Sequence, residues 1–286
     1  MARTRDGEIG VGTALGLTFL LVVSTLAVAA VAALVGMVSR GTSFAGALEG
    51  VRTDPLLASL AQLGGAGVAI AVGVGLAHGE VRLREGLSVA PVPSAVAMLA
   101  LTAGLALAFP LREIAQIVAE IAPGLAPDPA EAMAAARRLR IESVRDAFVI
   151  PLAFVAIPAL AEELFFRGLL LPGLAKQIDP KLAIVVTAVL FGLVHLSPIA
   201  ILYASLAGVV LGWVRLSTGS VVPAIALHGA FNAMPILLPP EVIRLPGFNT
   251  VEPDVYHLPL TLVIGSSLVT FACLAVIARF TDDGEG

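Results

Sequence analysis

Eight long apolar runs divide the chain and predict an all-α architecture. A helix needs roughly 20 apolar residues to cross about 30 Å of hydrocarbon, and most of the runs approach or exceed that length. They lie at Thr13–Val38, Leu56–Ala77, Val89–Phe109, Ala147–Leu171, Leu182–His195, Ile199–Val214, Val221–Leu238 and Pro259–Phe280. The fifth and sixth are short, and three residues separate them. The pattern therefore predicts a polytopic membrane helical bundle with about eight transmembrane helices.

The longest polar connection, Pro110 to Asp146, separates the third run from the fourth. Apolar positions at helical spacing near its start predict an amphipathic helix on the membrane surface; they are Ile114, Ile117, Val118 and Ile121. A second polar helix is predicted at Glu131–Arg145. We interpret this segment as a solvated cap in preference to a lid or a substrate-docking surface.

The first run could be a signal peptide, but it exceeds the 7–15 apolar residues of an ordinary signal sequence. We therefore expect it to be a retained transmembrane helix. The expected organisation is an N-terminal set of helices over residues 1–146, which includes the polar segment 110–146. A core follows over residues 147–238, and a C-terminal loop and last helix occupy residues 239–286.

Composition agrees with a membrane protein. The chain of 286 residues is 58% hydrophobic and 13% charged, whereas a soluble domain is about 25% charged. The net charge of −4 is dispersed, and the absence of a basic stripe excludes nucleic acid as a partner. The single cysteine, Cys273, excludes an intramolecular disulfide and a Cys-rich metal site. Lys and Arg divide evenly between the loops on the two sides, so the positive-inside rule does not orient the chain.

Three charged residues lie inside the fourth apolar run. Glu162 and Glu163 are adjacent, and Arg167 follows one turn later. An ionisable group at this depth costs a few kcal/mol and usually marks a functional site. Glu163 and Arg167 are four apart in the order that favours an ion pair, while Glu162 is rotated by about 100°. We expect Arg167 to neutralise Glu163 and to leave Glu162 free for chemistry.

We single out three further polar side chains within the apolar runs as candidate site residues: His195, His228 and Asn232. His228 and Asn232 are four apart and share one helical face. At 1.5 Å per residue from the side that carries the termini, Glu162 lies about 13 Å deep, His228 about 10 Å, Asn232 about 16 Å and His195 about 20 Å. The four side chains can therefore meet in one layer.

A carboxylate, two imidazoles and a carboxamide in a cavity of low dielectric constant can hydrolyse a bond. Glu162 could take a proton from water, and His195 could hold that water. His228 and Asn232 could donate hydrogen bonds to an oxyanion. Alternatively, Glu162, His195 and His228 could bind a catalytic zinc ion, since two His and one Glu with an open position form such a site. The residues alone leave both arrangements open.

At these residues the chain resembles the CPBP family of intramembrane proteases, which includes the CAAX prenyl endopeptidases of the Rce type and the bacterial Abi proteins. The motif E-E-x-x-x-R is similar to Glu162–Arg167, F-x-x-x-H to Phe191–His195, and H-x-x-x-N to His228–Asn232. The resemblance covers about Ala147–Leu238. Each motif alone is weak, but three in order, each in a predicted membrane helix, are specific.

The resemblance implies an endopeptidase of the bacterial cytoplasmic membrane that cleaves a membrane-anchored protein or peptide. It also implies site roles: Glu162 as the water-activating base, Glu163 and Arg167 in support, His195 assisting, and His228 with Asn232 at the oxyanion. The family has been described both as a metalloprotease and as a glutamate-type protease, so zinc is a possible cofactor. We favour the metal-free mechanism.

Two other functions fit the same residues. One is a non-catalytic membrane binding or bacteriocin-immunity protein that keeps the site as a structural fastener. The other is a proton-coupled carrier with Glu162 and His195 as a relay, although the lack of an internal repeat counts against it. The absence of H-E-x-x-H and G-x-S-x-G patterns argues against zincin and serine-hydrolase sites. His78 and His257 lie in predicted loops, and we assign them no role in the site.

Overall fold

The computed structural model describes residues 9–77, 87–251 and 255–282, and these form helices without any β-strand. We number the helices α1 Val11–Arg40, α2 Phe44–Thr53, α3 Pro55–Ala77, α4 Ser94–Ile121, α5 Pro129–Arg138, α6 Val144–Leu174, α7 Pro180–Leu193, α8 Pro198–Thr218, α9 Val222–Leu237 and α10 Leu260–Asp282. A 3₁₀ turn at Pro123–Leu125 precedes α5. The predicted all-helical fold class is confirmed.

Each of the eight apolar runs forms a helix, but their lengths fall into two groups. Within the described residues, six helices are long and apolar enough to span a membrane: α1, α3, α4, α6, α8 and α10. The other two, α7 and α9, have 14 and 16 residues. They are about 21 and 24 Å long, which is less than the hydrocarbon thickness of about 30 Å. The protein is therefore an integral membrane protein with six candidate spans and two shorter apolar helices.

Helix α4 continues through Pro110, so the end of the third helix expected near this residue is wrong. The predicted surface helix at residues 111–121 is instead the C-terminal part of α4. Pro110 removes one backbone donor, but the buried stripe continues across it at every fourth position: Ala103, Leu107, Leu111, Ala115 and Ala119. Because this stripe packs against α9 and α10, tertiary contacts sustain the helix.

Polar caps set the ends of the helices in and around the polar connection. The side chain of Asp128 accepts a hydrogen bond from Ala130 N and begins α5, which ends at Arg138 and not at the expected Arg145. Ser143 accepts from Asp146 N and begins α6. Ser43 likewise begins α2, which the apolar pattern did not predict. Local capping therefore decides these short elements.

Helix α6 lies at the centre of the bundle, in contact with α3, α8 and α9. It contains two π-helical segments, Leu152–Ala156 and Leu164–Leu170. A π turn widens the helix and often occurs at functional sites. The second segment follows directly after the glutamate pair, and its aromatic residues Phe165 and Phe166 are fully buried.

Close backbone approaches fix the neighbours of α6. On α4, a side chain at Gly104 would collide with the carbonyl group of Leu227 on α9. On α3, a side chain at Gly65 would collide with the backbone of Thr25 on α1. These glycines hold α4 against α9 and α1 against α3.

Candidate active site

Glu163 lies at the centre of the site and accepts two hydrogen bonds on one oxygen. Arg167 Nη1 lies 2.7 Å from Glu163 Oε1, and both side chains are fully buried. Nδ1 of His228 lies 2.9 Å from the same oxygen. The predicted ion pair between Glu163 and Arg167 is confirmed, and it includes a third partner from α9.

Arg167 also connects α6 to α7 and α8. Its Nη2 donates to the carbonyl oxygen of Gly208 at 3.3 Å. Its guanidinium carbon lies 4.3 Å from the centroid of the Phe191 ring, within the range of a cation–π interaction. A side chain at position 208 would crowd Nη2. The buried cation is therefore balanced by a carboxylate, a carbonyl group and an aromatic face.

Glu162 points to another side of α6, as the 100° rotation predicts. Its Oε1 accepts a hydrogen bond from Gln62 Nε2 on α3 at 2.5 Å. Its Oε2 lies 3.9 Å from His228 Nε2 and has no hydrogen-bond partner among the described residues. One oxygen of Glu162 is thus held in place, and the other faces the imidazole.

The partners of His228 determine which ring nitrogen carries a proton. Glu163 Oε1 is a carboxylate oxygen that accepts, so Nδ1 must be the donor. In a neutral ring, Nε2 is then an acceptor; it becomes a donor only when the ring carries both protons. The predicted oxyanion role of His228 therefore requires the doubly protonated ring.

His195 lies in the turn after α7, two residues beyond Leu193, and it is exposed. Its Nδ1 lies 2.9 Å from the carbonyl oxygen of Phe191 and donates to it, so Nε2 is the nitrogen that remains for other contacts. The rings of His195 and His228 flank Phe191 edge to face, with centroids 5.0 and 5.7 Å from it. Phe191 therefore separates and orients the two imidazoles.

Two cavities meet at His195. The first, of about 220 Å³, is lined by His195, His228 and Asn232 among mostly apolar residues of α8 and α9. The second, of about 330 Å³, lies between α1, α3 and α6 and is lined by Gln62, Glu162 and His195. The structure thus brings all six predicted residues to adjoining walls of these cavities or to the ion pair behind them.

The donor set does not form a metal site. Over residues 9–77, 87–251 and 255–282, no three His, Cys, Asp or Glu side chains are grouped so that they could hold a metal ion. In particular, the possible zinc set of Glu162, His195 and His228 is not assembled as ligands.

Two contacts with the predicted site residues involve side chains that the sequence prediction did not include. Gln62 is the sole carboxamide in the second apolar run. Because burial of an amide group in an apolar helix costs free energy unless it is hydrogen-bonded, its presence there could have indicated a specific partner. Arg215, buried on α8, donates from Nε to the carbonyl oxygen of Arg167 at 3.1 Å. His78 lies outside the described residues. His257 contacts Glu113, away from the site.

Residues 145–234 match the family model described as type II CAAX prenyl endopeptidase Rce1-like. Neither the curated proteins nor the solved structures give a match. The matched segment runs from α6 into α9 and contains all three motifs and both glutamates. Over this segment, about a third of the chain, the protein is similar to the Rce1-like type II CAAX prenyl endopeptidases.

Proposed function

We propose that this protein is an intramembrane endopeptidase in which Glu162 activates the attacking water. One observation carries the proposal: Glu162 Oε2 lies 3.9 Å from His228 Nε2 and has no hydrogen-bond partner among the described residues. Each group is fixed through its other polar atom, Glu162 by Gln62 and His228 by Glu163. Such preorganisation is what a hydrolytic site requires.

The reaction proceeds in two steps. Water gives a proton to Glu162 Oε2 while its oxygen bonds to the carbonyl carbon of the substrate, which produces a tetrahedral oxyanion. Glu162 then passes this proton to the leaving nitrogen as the carbon–nitrogen bond breaks. The products are a carboxylic acid and an amine, and the carboxylate of Glu162 is regenerated.

His228 and Asn232 are the proposed donors to the oxyanion, since both line the first cavity. His228 Nε2 donates when the ring carries both protons. In that state the two carboxylates are balanced by the guanidinium of Arg167 and the imidazolium of His228. Such a balance favours burial of all four groups, because an unpaired charge in a low dielectric is costly.

His195 assists from the junction of the two cavities. Its Nδ1 is occupied by the Phe191 carbonyl oxygen, so Nε2 is the nitrogen that accepts a hydrogen bond from water. The substrate class is a membrane-anchored protein or peptide. Two observations support it: the family match, and the placement of both cavities between membrane-embedded helices.

Substitution Glu162→Gln tests the proposal. It removes the base but keeps the shape of the side chain, so hydrolysis should fall by roughly 100-fold or more. The measurements are accumulation of uncleaved precursors in membranes that contain the variant, and cleavage of one identified precursor by purified protein. Glu49→Gln, which changes an exposed carboxylate on α2, is the control and should cleave normally. Wild-type cleavage by folded Glu162→Gln protein would contradict the proposal.

A non-catalytic fastener is the second candidate, because Glu163, Arg167 and Gly208 join α6 to α8 through buried contacts. Glu162 is not part of that network. If the site is purely structural, purified wild-type protein will cleave none of the precursors that accumulate in membranes containing the Glu162→Gln variant. If it is catalytic, Glu162→Gln will lose cleavage with little change in thermal stability.

A further inference from the structure

Gln62 makes a contact that its position in the sequence does not explain. It is an uncharged amide in the first half of α3, where Ser59 is the other polar side chain. Its Nε2 lies 2.5 Å from Glu162 Oε1, across 100 positions of sequence. A carboxamide within an apolar helix is costly unless it is hydrogen-bonded, and this bond meets that need.

The bond fixes the identity of the reactive oxygen. Because an ionised carboxylate offers no donor, the NH₂ group of Gln62 must face it. Oε1 is then engaged, and rotation of the carboxylate is restricted. Oε2 is left facing His228 Nε2 at 3.9 Å. Without Gln62, either oxygen could turn toward α3, and the distance to His228 would no longer be set.

The location of Gln62 supports a role in the reaction. It lines the same cavity of about 330 Å³ as Glu162 and His195. It also lies well outside residues 145–234, the segment that matches the family. The packing of α3 on α6 brings it to the site, so the carboxylate in the matched segment is oriented by a residue from elsewhere in the chain.

We propose that Gln62 is a positioning residue that holds the Glu162 carboxylate so that Oε2 is the oxygen that takes the proton from water. The proposal rests on the proposed function, because it assigns Gln62 a part in that reaction. Gln62 acts through Glu162 and forms no bond in the reaction.

The test is Gln62→Met, which keeps the length of the side chain but removes its donor. The expected result in purified protein is a fall in kcat of roughly 10- to 100-fold with KM changed less than about twofold, because misplacement of a base affects the chemical step. Ser59→Ala on the same helix is the matched control. Ser59 bonds to a carbonyl group of its own helix, so this variant should keep both constants.

A second measurement separates positioning from packing. In the Glu162→Gln background, Gln62→Met should leave the affinity for an uncleaved substrate peptide unchanged. Wild-type kcat in folded Gln62→Met protein, or a loss confined to KM, would overturn the positioning role and leave the proposed function intact. Failure of the wild-type protein to hydrolyse any membrane peptide would instead overturn the proposed function and, with it, this role.

Discussion

At the scale of residues, Glu163 is the group on which the site depends most. One of its oxygens accepts from Arg167 at 2.7 Å and lies 2.9 Å from His228 Nδ1. Removal of Arg167 would leave the Glu163 carboxylate buried without its counter-charge, so the consequences reach beyond one hydrogen bond.

The first prediction at this scale is non-additivity in the Glu163–Arg167 pair. Glu163→Gln and Arg167→Met should each lower the free energy of unfolding by roughly 3–5 kcal/mol, because each leaves an uncompensated buried charge. The loss of unfolding free energy in the double variant should be far smaller than the sum of the two single losses. Unfolding in detergent measures all three variants.

The exposed pair Glu49 and Arg52 on α2 is the control for that cycle. Its side chains are more than half exposed, so the losses of its two single variants should simply add. Simple addition of the losses at Glu163 and Arg167 would show that the two residues do not act as a unit.

The predictability of individual contacts follows their separation in sequence. The Glu163–Arg167 pair could be predicted because spacing within one helix fixes it. The contact of His228 with Glu163 could not, because it depends on how α6 and α9 are rotated toward each other. Gln62 could have been suspected from its cost in an apolar helix, but its partner on α6 could not.

At the scale of elements, the second π segment of α6, Leu164–Leu170, requires support from outside the helix. The wider turn changes the backbone hydrogen-bond pattern, and the carbonyl oxygen of Arg167 accepts from Arg215 Nε on α8 at 3.1 Å. Arg215 thereby fixes the backbone of the residue that neutralises Glu163.

Substitution Arg215→Met tests that support. A buried carbonyl group without its donor costs about 1–3 kcal/mol, so the variant should unfold at lower denaturant concentration. Hydrolysis should also fall, since Arg167 and Glu163 shift together. Arg279→Met, which changes an exposed cation near the end of α10, is the control. Unchanged stability in Arg215→Met protein would show that α6 holds this turn unaided.

Helices could be predicted more reliably than their ends. The apolar runs predicted all eight apolar helices, because a helix surrounded by lipid requires an apolar sequence. The boundary expected at Pro110 was wrong, since a buried stripe along α4 outweighs the loss of one backbone donor. Short α2 was not predicted, because a polar cap at Ser43 begins it without a long apolar run.

At the scale of the whole molecule, the connection between α9 and α10 is tied to α4. Arg112 Nε and Gln116 Nε2 both donate to the carbonyl oxygen of Gly247, at 2.5 and 2.6 Å. Further along, His257 Nδ1 lies 2.7 Å from Glu113 Oε1, and the amide of Leu258 donates to the other oxygen. The part of α4 beyond Pro110 therefore anchors the C-terminal part of the chain.

This anchor should depend on pH. The hydrogen bond to Glu113 raises the pKa of His257 above its ordinary value of 6.5, and the charge of Glu120 adds to the effect. Because the folded pKa is raised, the stabilisation is complete below about pH 6.5 and is lost as the pH rises through the folded value.

The measurement is the Tm of wild-type protein minus that of His257→Asn at a series of pH values from about 5.5 to 9. The difference should be largest at the acidic end and should shrink as the pH rises. Tyr256→Phe, next to the histidine, should follow the wild type. A difference that grows with pH would contradict the assignment of charge to His257.

The pairing of opposite charges around Glu163 determines how the site responds to the voltage across a living membrane. Moving one elementary charge through a potential of 100 mV requires about 2.3 kcal/mol. In the proposed state, the carboxylates of Glu162 and Glu163 are balanced by Arg167 and His228 within a few ångströms. Such a cluster has almost no net charge for the transmembrane voltage to act on. We therefore expect the proposed peptide hydrolysis to depend little on the transmembrane voltage.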